Sequence, residues 1–451
     1  MEQRSEQSNG KIWLARIISI IGAAALLAAF AYWIASDRPK AVEIVPAAVS
    51  LGLFILGCLR FVPGWMDFWR GADEPTLDPD EPKRVLLLIA VVSLAVEALL
   101  YLAVLLVLRL SSAELTTEGY LDFWRCLDSG HYLDITREWY VFGEQWGRTV
   151  QLVFLPGYPL AVYPLYRILG NDVLAGLIVS AAAYPAACCV LYRLLRLDLD
   201  HKRAFSAVAF LWLLPGGFFF VAPMSESFYL LLCLSALYAA RKERFLLAGV
   251  FGACAAFTRS LGLLLVVPLL MEWGHAFRRR TPKKRLLSLL PALLVPVGFL
   301  CYLRINYVVS GNAFQFLVYQ REHWGQQLGW FFETAGYQTD LMIQKWFEDK
   351  ELFFGLWLPN VLWHFGALAL FALGAKKLRP SYGAWFIAYF MIAIGTTWLL
   401  SGPRYLLAMP VIAILLGLLT EKRRQRIVAA AALVPASVLY LIAFVLRWQV
   451  W

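Results

Sequence analysis

The stretch DFWRCLDSGHYLDITREWY, Asp122–Tyr140, is a polar and aromatic run between two long apolar stretches. It contains three Asp, two Arg, one Glu and one His beside two Trp and two Tyr. Most of the remaining chain has the apolar composition of membrane-embedded helices. A run that concentrates titratable groups beside the membrane needs a reason, and we predict that it forms a functional site.

The composition is that of a polytopic membrane protein. Of the 451 residues, 61% are hydrophobic and 16% are charged, whereas soluble domains have about 25% charged residues. The net charge of +10 (41 basic minus 31 acidic residues) comes from basic clusters in short loops between apolar spans. This is the positive-inside pattern, so it argues against a nucleic-acid partner. The seven Cys lack metal-ligand spacing, and no HExxH motif or phosphate-binding Gly loop occurs, so we predict neither a metal nor a cofactor.

Apolar stretches of about 20 residues predict an all-α protein with about 12–13 transmembrane helices and two large non-cytoplasmic loops. The prolines of the linker Pro63–Arg84 predict that no helix continues through it. The chain is thereby divided into an N-terminal helical hairpin with its linker (1–84), a central module (85–270) with a loop at 111–172, and a C-terminal module (271–451) with a loop at 310–352.

The segment Phe245–Leu270 lies between two basic flanks, Arg241–Arg244 and Phe277–Arg285. Both flanks should be cytoplasmic, and an odd number of crossings cannot join two loops on one side. Its 26 residues are too few for two spans at about 1.5 Å per residue. We therefore predict two short helices that meet at Thr258–Arg259 and turn back at a cavity. The three prolines of Leu152–Gly170 likewise predict an interfacial or re-entrant piece.

With a cytoplasmic N-terminus and a retained first helix, this topology places all the isolated polar groups on the non-cytoplasmic face. The polar run, residues 223–226, Arg259, the loop 310–352 and Arg404 all fall there. Such convergence predicts an active site on that face.

Asp128, in LDSGH, is the candidate base. A carboxylate there can accept a proton from a sugar hydroxyl, or it can cap a helix. His131 follows by three residues and would lie beside Asp128 on a helix. Glu226, preceded by Ser225, begins an apolar span, where it complements the helix dipole, binds a sugar hydroxyl or steadies an arginine.

Arg259 and Arg404 are the candidate phosphate ligands. A guanidinium at the apex of a broken helix can bind a lipid-linked phosphate through its paired donors. The alternative is a structural ion pair with a buried acid such as Glu226. Pro403 predicts that a helix begins beside Arg404.

Five blocks occur in the order seen in the PIG-V family, which the chain resembles over roughly Val85–Leu419. That family includes the second mannosyltransferase of GPI-anchor assembly. The blocks are LDSGHYLDITREWY, FLPGYPLAVYPLYRIL, FVAPMSESFYLLLCLSALYAARKER, ACAAFTRSLGLLLVVPLLMEW and SGPRYLLAMPVI. The resemblance implies a GT-C glycosyltransferase fold, with 85–270 as its catalytic module, and inverting transfer from a polyprenyl-phosphate sugar (dolichyl-phosphate mannose in eukaryotes).

The resemblance also assigns roles. Asp128 falls on the family's catalytic loop aspartate, although Leu127 stands where the family usually has Trp. Arg259 and Arg404 fall on its T-R and P-R-Y blocks and would bind the donor phosphate. The predicted substrate-binding residues are Arg125, His131, Ser225, Glu226 and Tyr405.

We therefore expect a multi-pass membrane glycosyltransferase whose lipid-linked sugar donor is a co-substrate. It would transfer a sugar, mannose by resemblance, to a glycolipid, glycan or protein acceptor. The plasma membrane of a prokaryote is favoured over the endoplasmic reticulum of a eukaryote. A lipid or polysaccharide transporter is an alternative, although the sequence lacks the internal repeats typical of transporters. A non-catalytic subunit of an envelope glycan complex, with an unknown partner subunit, is another.

Overall fold

The computed structural model describes residues 2–70, 83–111, 115–141, 149–277 and 290–451. This part of the chain is almost entirely helical, and one isolated β-bridge within it joins Leu328 to Thr396. The helices are α1 (Glu2–Asp37), α2 (Ala41–Arg70), α3 (Lys83–Ser111), α4 (Thr117–Phe123), α5 (Ser129–Glu138), α6 (Gly157–Leu169), α7 (Asp172–Leu195), α8 (His201–Leu213), α9 (Phe218–Val221), α10 (Glu226–Arg241), α11 (Phe245–Thr258), α12 (Val266–Phe277), α13 (Leu294–Ser310), α14 (Gln315–Trp324), α15 (Phe331–Glu348), α16 (Lys350–Leu352), α17 (Leu358–Gly374), α18 (Pro380–Ile394), α19 (Gly402–Leu407), α20 (Val411–Leu419) and α21 (Arg423–Val445). Short 3₁₀ turns cover Thr149–Val153, Ser260–Leu265 and Leu290–Leu293, and a π-helical turn, Phe353–Trp357, joins α16 to α17.

Seven helices in the described ranges are long and apolar enough to cross a membrane, or eight if the bent pair α13 and α14, at 77°, forms one span. The seven are Arg16–Asp37, Ala41–Phe68, Lys83–Ser111, Asp172–Arg196, Ser260–Phe277, Lys350–Gly374 and Arg423–Val445. The all-helical, multi-span prediction is confirmed, but the predicted 12–13 spans exceed this count. The reason is that several apolar stretches form helices shorter than the roughly 20 residues a span needs. One predicted span, 204–221, is divided between α8 and the four-residue α9.

Helix α10 lies at the centre of the fold. It packs between α7 and α11, and α13 packs on the far side of α11. Gly298 permits this last contact, since a Cβ there would lie 2.0 Å from the Ala253 carbonyl oxygen. Because α10 is enclosed, a charged residue at its first turn is held in the protein interior.

The second helix of the N-terminal hairpin, α2, packs against the core. Ser50 in α2 lies 2.8 Å from His364 Nε2, and the Arg60 guanidinium donates to the Ala372 carbonyl oxygen at 2.8 Å. The prediction that no helix continues past Pro63 is wrong, because α2 runs to Arg70 with Pro63 inside it. Packing of the helix against neighbouring helices makes the loss of one backbone hydrogen bond tolerable. The rest of that predicted linker, 71–82, lies outside the described residues.

The predicted break at Arg259 is confirmed. Helix α11 ends at Thr258, and Arg259 is extended, with φ −147° and ψ 140°. The 3₁₀ turn Ser260–Leu265 then folds back, so that a Cβ on Gly262 would lie 2.4 Å from the Ala255 carbonyl carbon. In a continuous helix these two residues would be about 10 Å apart along the axis. Most of the second basic flank, residues 278–285, lies outside the described residues, and the membrane orientation stays a prediction.

The prediction that Leu152–Gly170 forms no uninterrupted spanning helix is confirmed, whereas its interfacial or re-entrant placement stays a prediction. A 3₁₀ turn, Thr149–Val153, is followed by the 13-residue helix α6. A helix of that length extends about 20 Å, which is less than the hydrocarbon core of a bilayer.

Replacing Gly262 by Ala should destabilise the protein, because the added methyl group has no space beside the Ala255 carbonyl. Overpacking of this kind costs about 1–3 kcal/mol. Gly366→Ala in α17 is the matched control, since a Cβ there meets no atom within 4 Å and Ala is the better helix former. Thermal unfolding in detergent distinguishes them. Equal melting temperatures for Gly262→Ala and the wild type would contradict the close turn.

Candidate active site

A strained turn positions Asp128. Leu127, just before it, has φ 51°, a left-handed conformation that is uncommon for residues with a Cβ. Ser129 Oγ fixes the turn by donating to the carbonyl oxygens of Trp124 at 2.7 Å and Cys126 at 2.5 Å. Asp128 stands at the N-cap of α5, but its side chain makes no capping bond. Its Oδ2 instead accepts a hydrogen bond from Arg404, so the capping alternative is not what the structure shows.

Four charged side chains form one continuous ion network. Arg404 donates through Nη1 to Asp128 and through Nε to Glu226 Oε1. Arg259 Nη1 donates to the same Glu226 oxygen and, at 3.2 Å, to Ser225 Oγ. The order is therefore Asp128, Arg404, Glu226, Arg259, with opposite charges alternating.

Burial is uneven along this network. The Glu226 side chain is 0% exposed, that of Arg404 3% and that of Asp128 31%. Glu226 thus holds both arginines from the interior, which favours the alternative that it steadies arginines over direct sugar binding. Asp128 is the acid that reaches open space.

Helix ends bring these residues together. Glu226 is the first residue of α10, Arg259 occupies the break after α11, and Arg404 lies in the first turn of the short helix α19. Pro403 stands at the start of α19 as predicted. The residues are far apart in sequence, and each lies where a helix begins or ends, so their side chains can converge without disrupting a span.

Asp128, Arg259 and Arg404 border a cavity of about 310 Å³. The apolar part of its lining includes Leu127, Val153, Phe154, Leu155, Leu261, Phe316, Leu317, Leu328, Ile392, Ala393 and Leu400. The polar and amphipathic part includes Tyr132, Thr258, Ser260, Gln320, Trp324, Gln326, Gln327, Thr396, Ser401, Tyr405 and Trp451. The cavity therefore combines an ionic wall, an apolar wall and a wall of amides.

Three glutamines of the lining, Gln320, Gln326 and Gln327, belong to the predicted loop 310–352, and we call them the amide wall. The sequence prediction named no site residue in this loop. Backbone pairing holds it in place: Gly329 N donates to Gly395 O at 2.8 Å, and Thr397 N donates to Gln327 O at 2.9 Å. The only available signal in the sequence was the cluster GQQLGW, whose pairing partner lies about 70 residues away. Such a long-range pairing is not visible in local sequence.

Aromatic residues flank Arg259. Its guanidinium carbon lies 5.8 Å from the Tyr229 ring centroid and 5.5 Å from that of Tyr405, within the range of cation–π attraction. Tyr132 OH lies 3.0 Å from Ser225 Oγ. Burial raises the pKa of Tyr132 to about 12, so it remains a neutral phenol at physiological pH. Tyr405 and Ser225 thus lie beside the ion network, and their predicted substrate-binding roles stay predictions.

Arg125 and His131 lie apart from the cavity lining. Arg125 Nη2 donates to both carboxylate oxygens of Asp172, at 2.8 and 2.6 Å. The His131 ring stacks on Phe154, with centroids 4.5 Å apart, and Phe154 is the residue that borders the cavity. Their substrate-binding roles stay predictions.

The geometry suits the binding of an anion and the removal of a proton. Two guanidinium groups reach the cavity, and guanidinium groups bind phosphate through charge-assisted hydrogen bonds. The partly exposed Asp128 carboxylate lies beside them. Within the described residues, no group of three or more His, Cys, Asp or Glu side chains is close enough to hold a metal ion.

Comparisons with known proteins give a distant structural similarity. No family model matches, and no curated protein matches. The chain is similar in fold to ArnT from Cupriavidus metallidurans bound to undecaprenyl phosphate, with TM-score 0.45, 17% identity, and coverage of 82% of this chain and 76% of that chain. For ArnT from the same organism in the apo state the values are 0.44, 15%, 73% and 74%. The similarity concerns the arrangement of the helices and identifies no residue of the site.

Proposed function

We propose that the chain is an integral membrane glycosyltransferase of the GT-C type. It takes a sugar, mannose by resemblance to the PIG-V family, from a polyprenyl-phosphate donor and transfers it to a hydroxyl group with inversion. The observation that supports this is the cavity where the partly exposed Asp128 meets two arginines held by a buried glutamate. A pure ion-pair scaffold would have no need to open onto a cavity of this size.

The donor phosphate binds at Arg259 and Arg404. When the bond between the anomeric carbon and the phosphate oxygen breaks, the leaving polyprenyl phosphate gains negative charge. The two guanidinium groups therefore stabilise the transition state more than the bound donor. Glu226 holds them in place, so little reorganisation is needed during the reaction.

Asp128 acts as the general base. It takes the proton of the acceptor hydroxyl as that oxygen attacks the anomeric carbon from the side opposite the phosphate. The Asp128 carboxylate accepts a hydrogen bond from Arg404. A bound phosphate competes for the same guanidinium, which releases Asp128 for proton transfer. Donor binding should therefore precede deprotonation of the acceptor.

The apolar wall and the amide wall of the cavity suit the polyprenyl chain of the donor and the acceptor, respectively. The apolar wall, with Leu155, Leu261 and Phe316, accepts the first isoprene units of the donor. Amide groups such as those of Gln326 and Gln327 suit sugar hydroxyls, since an amide both donates and accepts hydrogen bonds. We place the acceptor at this wall, on the non-cytoplasmic face of a prokaryotic plasma membrane.

The test is sugar transfer by the purified chain in detergent. The chain is incubated with mannosyl-phosphoryl-polyprenol, radiolabelled in the sugar, and with a lipid and glycan extract as acceptor source. Appearance of the label in a new glycoside that is stable to mild acid, unlike the donor, together with free polyprenyl phosphate, supports the enzyme. Movement of intact donor across vesicles without cleavage would favour a transporter. Absence of both activities would favour a non-catalytic subunit.

Arg259→Gln should lower kcat/KM for the donor about tenfold to a hundredfold, since hydrogen bonds to charged groups contribute about 1.5–3 kcal/mol. Arg259→Lys should recover only part of this, because lysine keeps the charge but lacks the planar fork. Arg304→Gln removes an exposed arginine outside the cavity lining and is the control. Initial rates at varied donor concentration give the comparison. An unchanged donor dependence in Arg259→Gln would contradict the phosphate assignment.

A further inference from the structure

A second cavity, of about 430 Å³, lies between α8 and α21 and shares no lining residue with the candidate active site. Its walls are polar at one end and apolar along the rest. The lining residues are His201, Lys202, Phe205, Ser206, Ala209, Phe210, Leu213, Arg426 and Ala430. We call it the α8–α21 groove.

The polar end has unbalanced positive charge. Of the nearby acids, Glu421 pairs with Lys377 at 2.9 Å and with Arg203 at 3.4 Å, and Asp200 pairs with Arg203 at 3.5 Å. Among the described residues, no carboxylate pairs with Lys202 or Arg426, the two basic residues of the groove. Arg426 makes only a long contact with Ser206 Oγ, at 3.5 Å. This end of the groove is therefore suited to an anion.

The apolar part of the groove, which we call the channel, is lined by side chains that a hydrocarbon chain can contact. Ala209 and Ala430 leave space between the helices, and Phe205, Phe210 and Leu213 form the walls. Helix α21 is one of the candidate spans, and its Ile427 and Val428 side chains are 57% and 61% exposed. In a membrane these exposed side chains contact lipid, so the groove is open to acyl chains.

We propose that the α8–α21 groove binds one anionic glycerophospholipid. Its phosphate lies at Lys202, Arg426 and His201, and one acyl chain follows the channel towards Leu213. The positive-inside rule predicts that both basic ends, 198–203 and 421–426, lie on the cytoplasmic side. Basic pockets between helices on that side favour anionic headgroups, with about a fivefold gain in affinity for each cation. The site is separate from the active site and does not depend on the glycosyltransferase proposal.

Native mass spectrometry of the full chain tests the headgroup. Delipidated protein is titrated with phosphatidylglycerol and with phosphatidylcholine of the same acyl chains. We expect a preference for phosphatidylglycerol that falls about tenfold or more in Lys202→Gln/Arg426→Gln. The control pair is Lys422→Gln/Arg424→Gln, which removes the same charge from exposed neighbours outside the groove. Equal losses of phosphatidylglycerol preference in the two double variants, or no loss in Lys202→Gln/Arg426→Gln, would overturn the site.

A second comparison tests the acyl chain. Ala430→Leu should fill the channel and weaken phosphatidylglycerol binding at least fivefold, while both basic residues remain. Thermal unfolding checks that Ala430→Leu is folded. If Ala430→Leu is unfolded, Ala209→Leu, on the opposite side of the groove, is used in its place. Soluble sn-glycerol 3-phosphate at the same concentration should not displace the lipid. Displacement would mean that the channel contributes nothing, and the lipid assignment would fail.

Discussion

Asp128→Asn should lower kcat by about 10²–10⁴-fold, which is the contribution typical of a positioned general base. The amide has nearly the same shape as the carboxylate but cannot take the proton of the acceptor hydroxyl. The network should survive the change, because Arg404 keeps its bond to the buried Glu226. Loss of turnover is therefore expected in a folded protein.

The same variant should bind free polyprenyl phosphate at least as tightly as the wild type. Asp128 accepts a hydrogen bond from Arg404, and a neutral amide competes less with phosphate for that guanidinium. Binding is measured with polyprenyl phosphate in detergent, and turnover with the radiolabelled donor. A residue that only supported the fold would lose binding and turnover together, whereas a base should lose turnover alone.

Asp122→Asn provides the matched control. Asp122 lies in the same polar run, is exposed, and does not border the cavity. Its activity should stay within about twofold of the wild type, as is usual for surface substitutions. Retained turnover in Asp128→Asn, or equal loss in both variants, would refute the base assignment.

The fold could be predicted from sequence where a local rule applies. Basic flanks on both sides of Phe245–Leu270 required a turn back, and the structure breaks the helix at Arg259. Leu152–Gly170 likewise forms no full span, although its helix begins after Pro156, continues through Pro164 and ends before Gly170. The number of spans was overestimated, because an apolar stretch indicates burial in lipid or in protein, and composition alone does not separate these. At Pro63 the sequence predicted a helix break that the structure lacks, because packing overrides the low preference of proline for helix interiors.

Each residue of the ion network was named from the sequence, and an ion pair with Glu226 was an open alternative for the arginines, but the complete network was not predicted. Polar residues at helix ends singled out Asp128, Glu226, Arg259 and Arg404 individually. That one Glu226 oxygen accepts from both arginines depends on how α10, α11 and α19 pack, which no local pattern specifies. The amide wall was missed for the same reason. Arg125 was grouped with the site because it is close in sequence, yet it bonds to Asp172.

Glu226→Gln should be the most destabilising substitution in the site. Its Oε1 accepts from Arg259 and Arg404, while its buried Oε2 has no hydrogen-bond partner within the described residues. Removing this charge leaves Arg259 without an acidic partner in the network. Breaking a buried ion pair on one side costs about 3–5 kcal/mol, chiefly because the remaining charge is left buried and uncompensated.

The expected result is a lower melting temperature in detergent together with a loss of donor binding, since both phosphate ligands lose their support. Glu226→Asp keeps the charge and should retain more stability than Glu226→Gln. Glu118→Gln, at an exposed carboxylate in the first turn of α4, should melt with the wild type. If Glu226→Gln left melting unchanged while Asp128→Asn lowered it, the network would be supported from Asp128 rather than from the interior. The burial of the two acids predicts the reverse, because the arginines around a fully enclosed carboxylate have little water to replace the pairing that is lost with it.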